Sequence, residues 1–467
     1  MSLRDKRGVP VSSGNRRSLE RLETVFGDFQ GFFGDPLAGV DEILKEDPDF
    51  VLGHCFRAGL CVVSSEKGAE PVLKESVEAA EALAAKANDR ERGHIAAARA
   101  WLDGEYTNAV DCYGKVLVDY PRDAMALQFA HLTDFLLGFS WMLRDRVARV
   151  LPHWSESVPG YGYVLGMHAF GLEEMNQYGR AEETGRRAVE LIPTDTWGIH
   201  AVAHVLEMQG RLDEGIDWYT SRIDDWTQDN GFAFHNWWHL SLYHLDLGQT
   251  DRVLEIYDSA VRPGPSEVAM EMVDAAALLW RLHLRGVDVG ERWKELADTY
   301  VPMVEDAYYA FNDAHAMMCF MADGREASAK RLLGVLERRA GEGGTNGMMT
   351  RDVGLPLCRA IKTFAEGDYA ATVETLMPLR PIANRFGGSN AQRDLLSLTL
   401  IEAALRDGQG RLAHALLAER TDLKPSSPFA WAATARALEL TGNTDGAERA
   451  QAKSAALAAT GTAAAAA

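Results

Sequence analysis

Apolar residues along this chain recur at intervals of three and four rather than at every second position, the period of helices that bury one face. Alternating stretches are scarce. Ala, Leu, Glu and Arg fill the segments between turn signals, as helix propensity favours. The helices also repeat. "YTNAVDCYGKVLVDYP" (Tyr106 to Pro121) and "YGRAEETGRRAVELIP" (Tyr178 to Pro193) each carry small or apolar residues on one face and close on proline. Ala169 to Ala203, and Ala181 to Gly215, are each separated by 34 residues, the spacing of stacked helix–turn–helix units. Further units end at Pro48, begin at Glu366 and span Phe429 to Ala450.

The expected fold is therefore all-α: tetratricopeptide-type helix–turn–helix repeats forming a curved superhelical solenoid, in which small residues let paired helices approach and each pair covers the next. Regions 124–160 and 261–350 read as helical but fit the repeat poorly, and "GEGGTNG" (Gly341 to Gly347) reads as a loop. The expected organisation is a flexible basic arm at 1–22, one repeat domain over 23–450 and an Ala-rich tail at 451–467.

Composition changes this picture only by exclusion. The chain has 467 residues, 48 Lys plus Arg against 68 Asp plus Glu, and a formal net charge of −20. That field repels phosphate backbones and anionic lipid, so neither a nucleic acid nor a membrane surface is an expected partner. The five cysteines include no C-x-x-C pair, which argues against a disulfide framework or a cysteine-rich zinc site and for a reducing, cytoplasmic setting. The N-terminus is basic without an apolar core segment, and no run is apolar enough to span a membrane.

The chemistry concentrates on two stretches. In "GIHAVAHVLEMQG", His200, His204 and Glu207 share one stripe of a helix. In "GFAFHNWWHLSLYHLDLG", His235, His239 and Asp246 share another, with Asn236 and Trp238 beside them, while Trp237, Ser241 and His244 fall on the opposite, core-facing edge. A His pair at i, i+4 suits a borderline metal, but no zincin-type motif is present. Imidazoles in register with a carboxylate also suit a metal-free pocket, since they titrate near neutrality and move protons. Taken one at a time, each His is equally explained as a satisfied core residue. Together they favour a pocket, and no metal or cofactor is expected.

Later segments add candidates. "FNDAHAMMCF" supplies Asn312, Asp313 and His315. Asp313 and His315 diverge on a helix unless Asp313 stands at or before its start, where it would act as an N-cap. "RFGGSNAQRD" supplies Asn390, Gln392, Arg393 and Asp394. Its Ser389-x-x-Gln392 spacing is a capping box, and a helix start can also hold an anion. Arg281, in "LLWRLHLRG", is a charge on an apolar helix and calls for an acidic partner or a bound anion.

Taken in order, "HAVAHVLEMQGRLDEG", "HNWWHLSLYHLDLG", "VGERW", "FNDAHAMM", "RDVGLPLC", "GGSNAQRD" and "LKPSSP" resemble the tetratricopeptide repeat protein 38 family over about Asp89 to Pro428. The resemblance implies an all-helical repeat fold and a site drawn from these same strings, with no settled chemistry attached. Asp246 is the wall residue it supports least.

Together these readings predict a pocket binding a small polar or anionic molecule. Arg281, His200, His235, Asn236, Trp238, Asn312, Asn390, Gln392, Arg393 and Asp394 would bind it. His204, Glu207, His239, Asp313 and His315 would carry any acid–base catalysis, an activity the sequence leaves open. The rival reading is a non-catalytic scaffold that binds a protein segment along an open groove.

Overall fold

The computed structural model describes residues 3–464. Helices account for nearly all of its regular structure. Among the described residues the one sheet is a two-stranded antiparallel hairpin, Leu3–Arg4 with Pro10–Val11. No helix among them is long and apolar enough to cross a membrane. The chain divides into two compact units. The first comprises Met1–Val202, Asp224–Phe232 and Glu342–Met348; the second comprises Ala203–Ile223, Ala233–Gly341 and Met349–Ala467. The Thr196–Met208 helix runs through the division, so unbroken helix periodicity gives no sign of where contacts thin.

The first unit is built from antiparallel helix pairs, among them Asp89–Leu102 with Tyr106–Asp119, Ala124–Leu136 with Ser140–Val150, and Tyr161–Glu174 with Tyr178–Leu191. The irregular region 124–160 thus contributes an ordinary pair. Small residues set the approach: a Cβ on Gly171 would lie 2.4 Å from the Leu143 backbone. Asp123 ties the helices together. It caps Ala126 N, accepts from Arg90 at 2.6 and 3.0 Å, and meets His94 Nε2 at 2.8 Å, all buried. The segment expected as a flexible arm holds the hairpin and, from Arg16, the first helix. Two of its charges are paired: Arg7 with Glu23 at 2.6 Å and Asp5 with Arg90 at 3.4 Å, while Arg4, Lys6, Arg16 and Arg17 are exposed.

The second unit repeats the theme. Region 261–350 supplies two regular pairs, Ala269–Leu284 with Arg292–Tyr300 and Ala310–Ala322 with Glu326–Arg339. Asn390–Arg406 pairs with Gly410–Leu423, and Pro428–Leu440 with Thr444–Ala464. The last helix takes in the Ala-rich tail to residue 464, its Ala447 and Ala450 packing on Ala435 and Leu438; positions 465–467 lie outside the described residues. The Ala233–Asp246 helix, which carries the "HNWWH" run, is placed by a close approach. A Cβ on Gly215 would stand 2.2 Å from Tyr243 Cζ. The Tyr243 hydroxyl, so held, donates to Ala203 O at 2.6 Å, and the Tyr219 hydroxyl donates to Asn236 Oδ1 at 3.0 Å. These contacts fix the rotation of the helix and with it the direction of its imidazoles.

Candidate functional site

Within the second unit, His204, His235 and His239 converge. One ring nitrogen of each lies within 4.8 Å of the others. The His204 and His239 ring centroids are 4.4 Å apart, and His235 meets His239 edge to face at 4.8 Å. Trp238 is wholly buried; it stacks on His235 with planes 12° apart and touches His239 edge-on. It was expected to stand on the groove-facing edge and Trp237 on the core-facing edge. Instead Trp238 is enclosed and Trp237 is half-buried. The imidazole wall is therefore an interior cluster, all its members under 9% exposed, not the lining of an open groove.

Carboxylates orient two of the rings. His239 Nδ1 lies 3.2 Å from Glu207 Oε2, and His235 Nδ1 lies 2.7 Å from Asp274 Oδ2. Burial, with the positive fields of His204, His235, Arg281 and Lys424, pushes the His239 pKa well below its ordinary value. Its ring is thus neutral, and the contact is a hydrogen bond from Nδ1–H to the carboxylate. Burial pushes the Glu207 pKa up, but Lys424, whose Nζ donates to Oε1 at 3.1 Å, together with His204 and Arg281 brings it below its ordinary value and keeps the carboxylate ionised. Burial also raises Asp274, against the opposing charge and hydrogen bond of His235.

Arg281 closes the other side. Its guanidinium lies 5.1 Å from the Trp238 ring centre and donates to Ala277 O at 3.1 Å and Ala391 O at 2.7 Å. No carboxylate among the described residues comes within 4.0 Å of it. Asp394 and Glu207 act on it only at longer range, and burial pushes its pKa down. An Arg 5% exposed with two backbone carbonyls and no carboxylate in direct contact is an interior cation compensated only at longer range, by Asp394, Glu207 and Asp274. Further along, Asp394 is paired by Arg420 through bonds of 2.6 and 2.9 Å, which hold it below its ordinary value despite burial. Asp246 accepts from Ser427 at 3.1 Å and lies 3.7 Å from Arg285.

The remaining predicted residues are placed as follows. His200 belongs to the first unit, packed among Phe170, Trp197 and Phe232 at centroid distances of 5.1 to 5.4 Å. Asn312 is half-buried on the Ala310–Ala322 helix. Asp313 is no N-cap: that helix starts at Ala310 with Tyr309 as its cap residue. One turn in, Asp313 diverges from His315 as the helical angle requires. The side chains acting on its carboxyl are Asp306 and Arg339, not an imidazole, and burial lifts it to about 7. His315 instead feels Arg281; its Nδ1 lies 2.8 Å from Phe311 O, and burial lowers it to about 4.

The "GGSNAQRD" turn serves structure first. Ser389 Oγ accepts from Gln392 N and Gln392 Oε1 accepts from Ser389 N, the complete capping box. Gly388, at φ +77°, would place a Cβ 2.5 Å from Phe311, so the close approach expected for a ligand is made by that ring. Arg393 clasps the turn through Gly387 O, Gly388 O and Asn390 Oδ1. Sequence reasoning missed Asp274, Lys424, Arg420 and Arg285. Asp274 had a signal, as a lone carboxylate inside "EMVDAAALLW", and so did Lys424 in "LKPSSP". A separate surface depression of about 620 Å³ in this unit, between Pro265, Glu267, Lys294 and Asp298, contains no imidazole.

No family model matches the chain. Among solved structures it is similar to a human IFIT1 dimer with m7Gppp-AAAA (14% identity, 96% of this chain and 91% of that one, TM-score 0.35). It is also similar to yeast Tom70 (12% identity, 93% and 88%, TM-score 0.32) and to the P58(IPK) TPR domain (11% identity, 80% and 96%, TM-score 0.22). At these values the likeness concerns the helical-repeat class alone, which the antiparallel pairs already establish.

Proposed function

We propose that the second unit binds a small anionic molecule between Arg281, Trp238 and the imidazoles of His204, His235 and His239. The observation that carries this reading is Arg281: a buried guanidinium on an aromatic face, with no carboxylate partner, completes its charge balance with an anion. The strings that resemble the tetratricopeptide repeat protein 38 family include His204, His235, Trp238 and His239, though not Arg281, and the chain is read as a cytoplasmic member of that family. A net charge of −20 favours a small ligand drawn to a local positive site over a nucleic acid or a membrane.

If the ligand reacts, the pair equipped for proton transfer is His239 with Glu207. The ionised Glu207 behind Nδ1 would stabilise an imidazolium formed on His239. This suits a hydrolytic, lyase or isomerase step. Asp313, turned away from the cluster, has no direct part in it. Calorimetric titration with inorganic phosphate and with malonate, on the parent chain and Arg281→Met, tests the reading. A 1:1 site weakened at least tenfold by the substitution supports it. No binding by the parent chain, or equal binding by the variant, contradicts it. In that case a stoichiometric protein partner released by His204→Ala would establish the scaffold role instead.

A further inference from the structure

We propose that His204, His235 and His239 supply ligands to a borderline divalent ion of the zinc class. The inference does not depend on the pocket reading; the three nitrogens stand on their own geometry. Two of the ligands sit one helical turn apart on Ala233–Asp246, and the third comes from the facing end of Thr196–Met208. Their nearest nitrogens already lie within 4.8 Å of one another. A tetrahedral ion with Zn–N bonds of about 2.0 Å needs nitrogens roughly 3.3 Å apart, a contraction that small ring rotations supply.

The surroundings are those of a metal site rather than a chance meeting of histidines. His235 and His239 each have a carboxylate on Nδ1, Asp274 at 2.7 Å and Glu207 at 3.2 Å. Such a pairing directs the Nε2 lone pair forward and raises its basicity, the arrangement that orients histidine ligands on metals. Trp238, wholly buried and stacked on His235, keeps water from one flank. Interior histidines placed only for packing do not need two buried carboxylates behind them, each costly to desolvate. The carboxylates also offset the charge that an ion would add beside Arg281 and Lys424.

The test uses the full chain stripped with chelator, reloaded with Zn²⁺ or Co²⁺ and desalted. Elemental analysis is expected to return one ion per chain. The Co²⁺ form is expected to show the visible bands of a four-coordinate, nitrogen-ligated ion, and zinc X-ray absorption to show imidazole ligands. Asp274→Asn, which leaves every ligand in place, should weaken Zn²⁺ 10- to 100-fold, and His239→Ala by at least as much. Arg281→Met should keep the ion and lose phosphate binding. That pattern separates the two claims: phosphate bound without metal leaves the pocket standing and overturns the ion site, and metal bound without phosphate does the reverse. Absence of nitrogen-ligated Co²⁺ bands in folded protein overturns the proposal, whatever the variants do.

Discussion

Asp313 offers a sharp test of how the second unit's interior is organised. Its carboxyl is buried, its Oδ2 has no hydrogen-bond partner among the described residues, and its pKa is about 7 against an ordinary 3.8. A group raised in this way favours folding below pH 3.8 and loses that advantage as pH climbs through 7. The shift corresponds to about 4 kcal/mol lost at pH 8 and about 2 kcal/mol at pH 5. Asp313→Asn removes the titration. It also leaves a buried amide donor short of a partner, at about 1–3 kcal/mol, but that cost is the same at both pH values. Urea unfolding of parent and variant at pH 5 and pH 8 isolates the ionic part. The variant should gain on the parent by about 2 to 3 kcal/mol between the two conditions. A difference under about 0.5 kcal/mol, near the scatter of such measurements, would show that Asp313 is solvated or paired and would refute the placement.

Gly215→Ala drives a methyl into Tyr243 and should cost about 1–3 kcal/mol, read by thermal melting, and should reduce phosphate binding by turning the imidazole helix. Asp123→Asn strips the counter-charge from buried Arg90; chemical denaturation should show a loss of about 3–5 kcal/mol. Ser389→Ala removes the capping-box acceptor and should cost about 1 kcal/mol with phosphate affinity unchanged. His131, unprotonated in the fold and lowered to about 3 by burial, contributes stability that is complete above pH 6.5 and lost as pH falls towards 3. His131→Gln should flatten that part of the acid-unfolding curve.

The helix pairs were legible because the 34-residue spacing, the small residues on facing stripes and the capping box are local signals that tertiary context reinforces. The i, i+4 pair His235 and His239, with His204 and Glu207 on another helix, was legible for the same reason. What local pattern does not encode is which residues meet across the unit. Asp274, Lys424 and Arg420 join the cluster from separate helices or their ends, and nothing in their spacing ties them to the histidines. The pattern also placed Trp238 on an open edge, because a helical stripe separates faces but not their environments: both faces of Ala233–Asp246 are covered. Asp313 failed to join because of its helical angle.

Crystals of the chain soaked in bromide would test the central claim most directly, since anomalous scattering locates the anion without assumption. The account predicts a bromide peak within hydrogen-bonding reach of the Arg281 guanidinium, on the side facing His204 and His239. An Arg281 side chain paired to a protein carboxylate, with no anion beside it, would contradict the account.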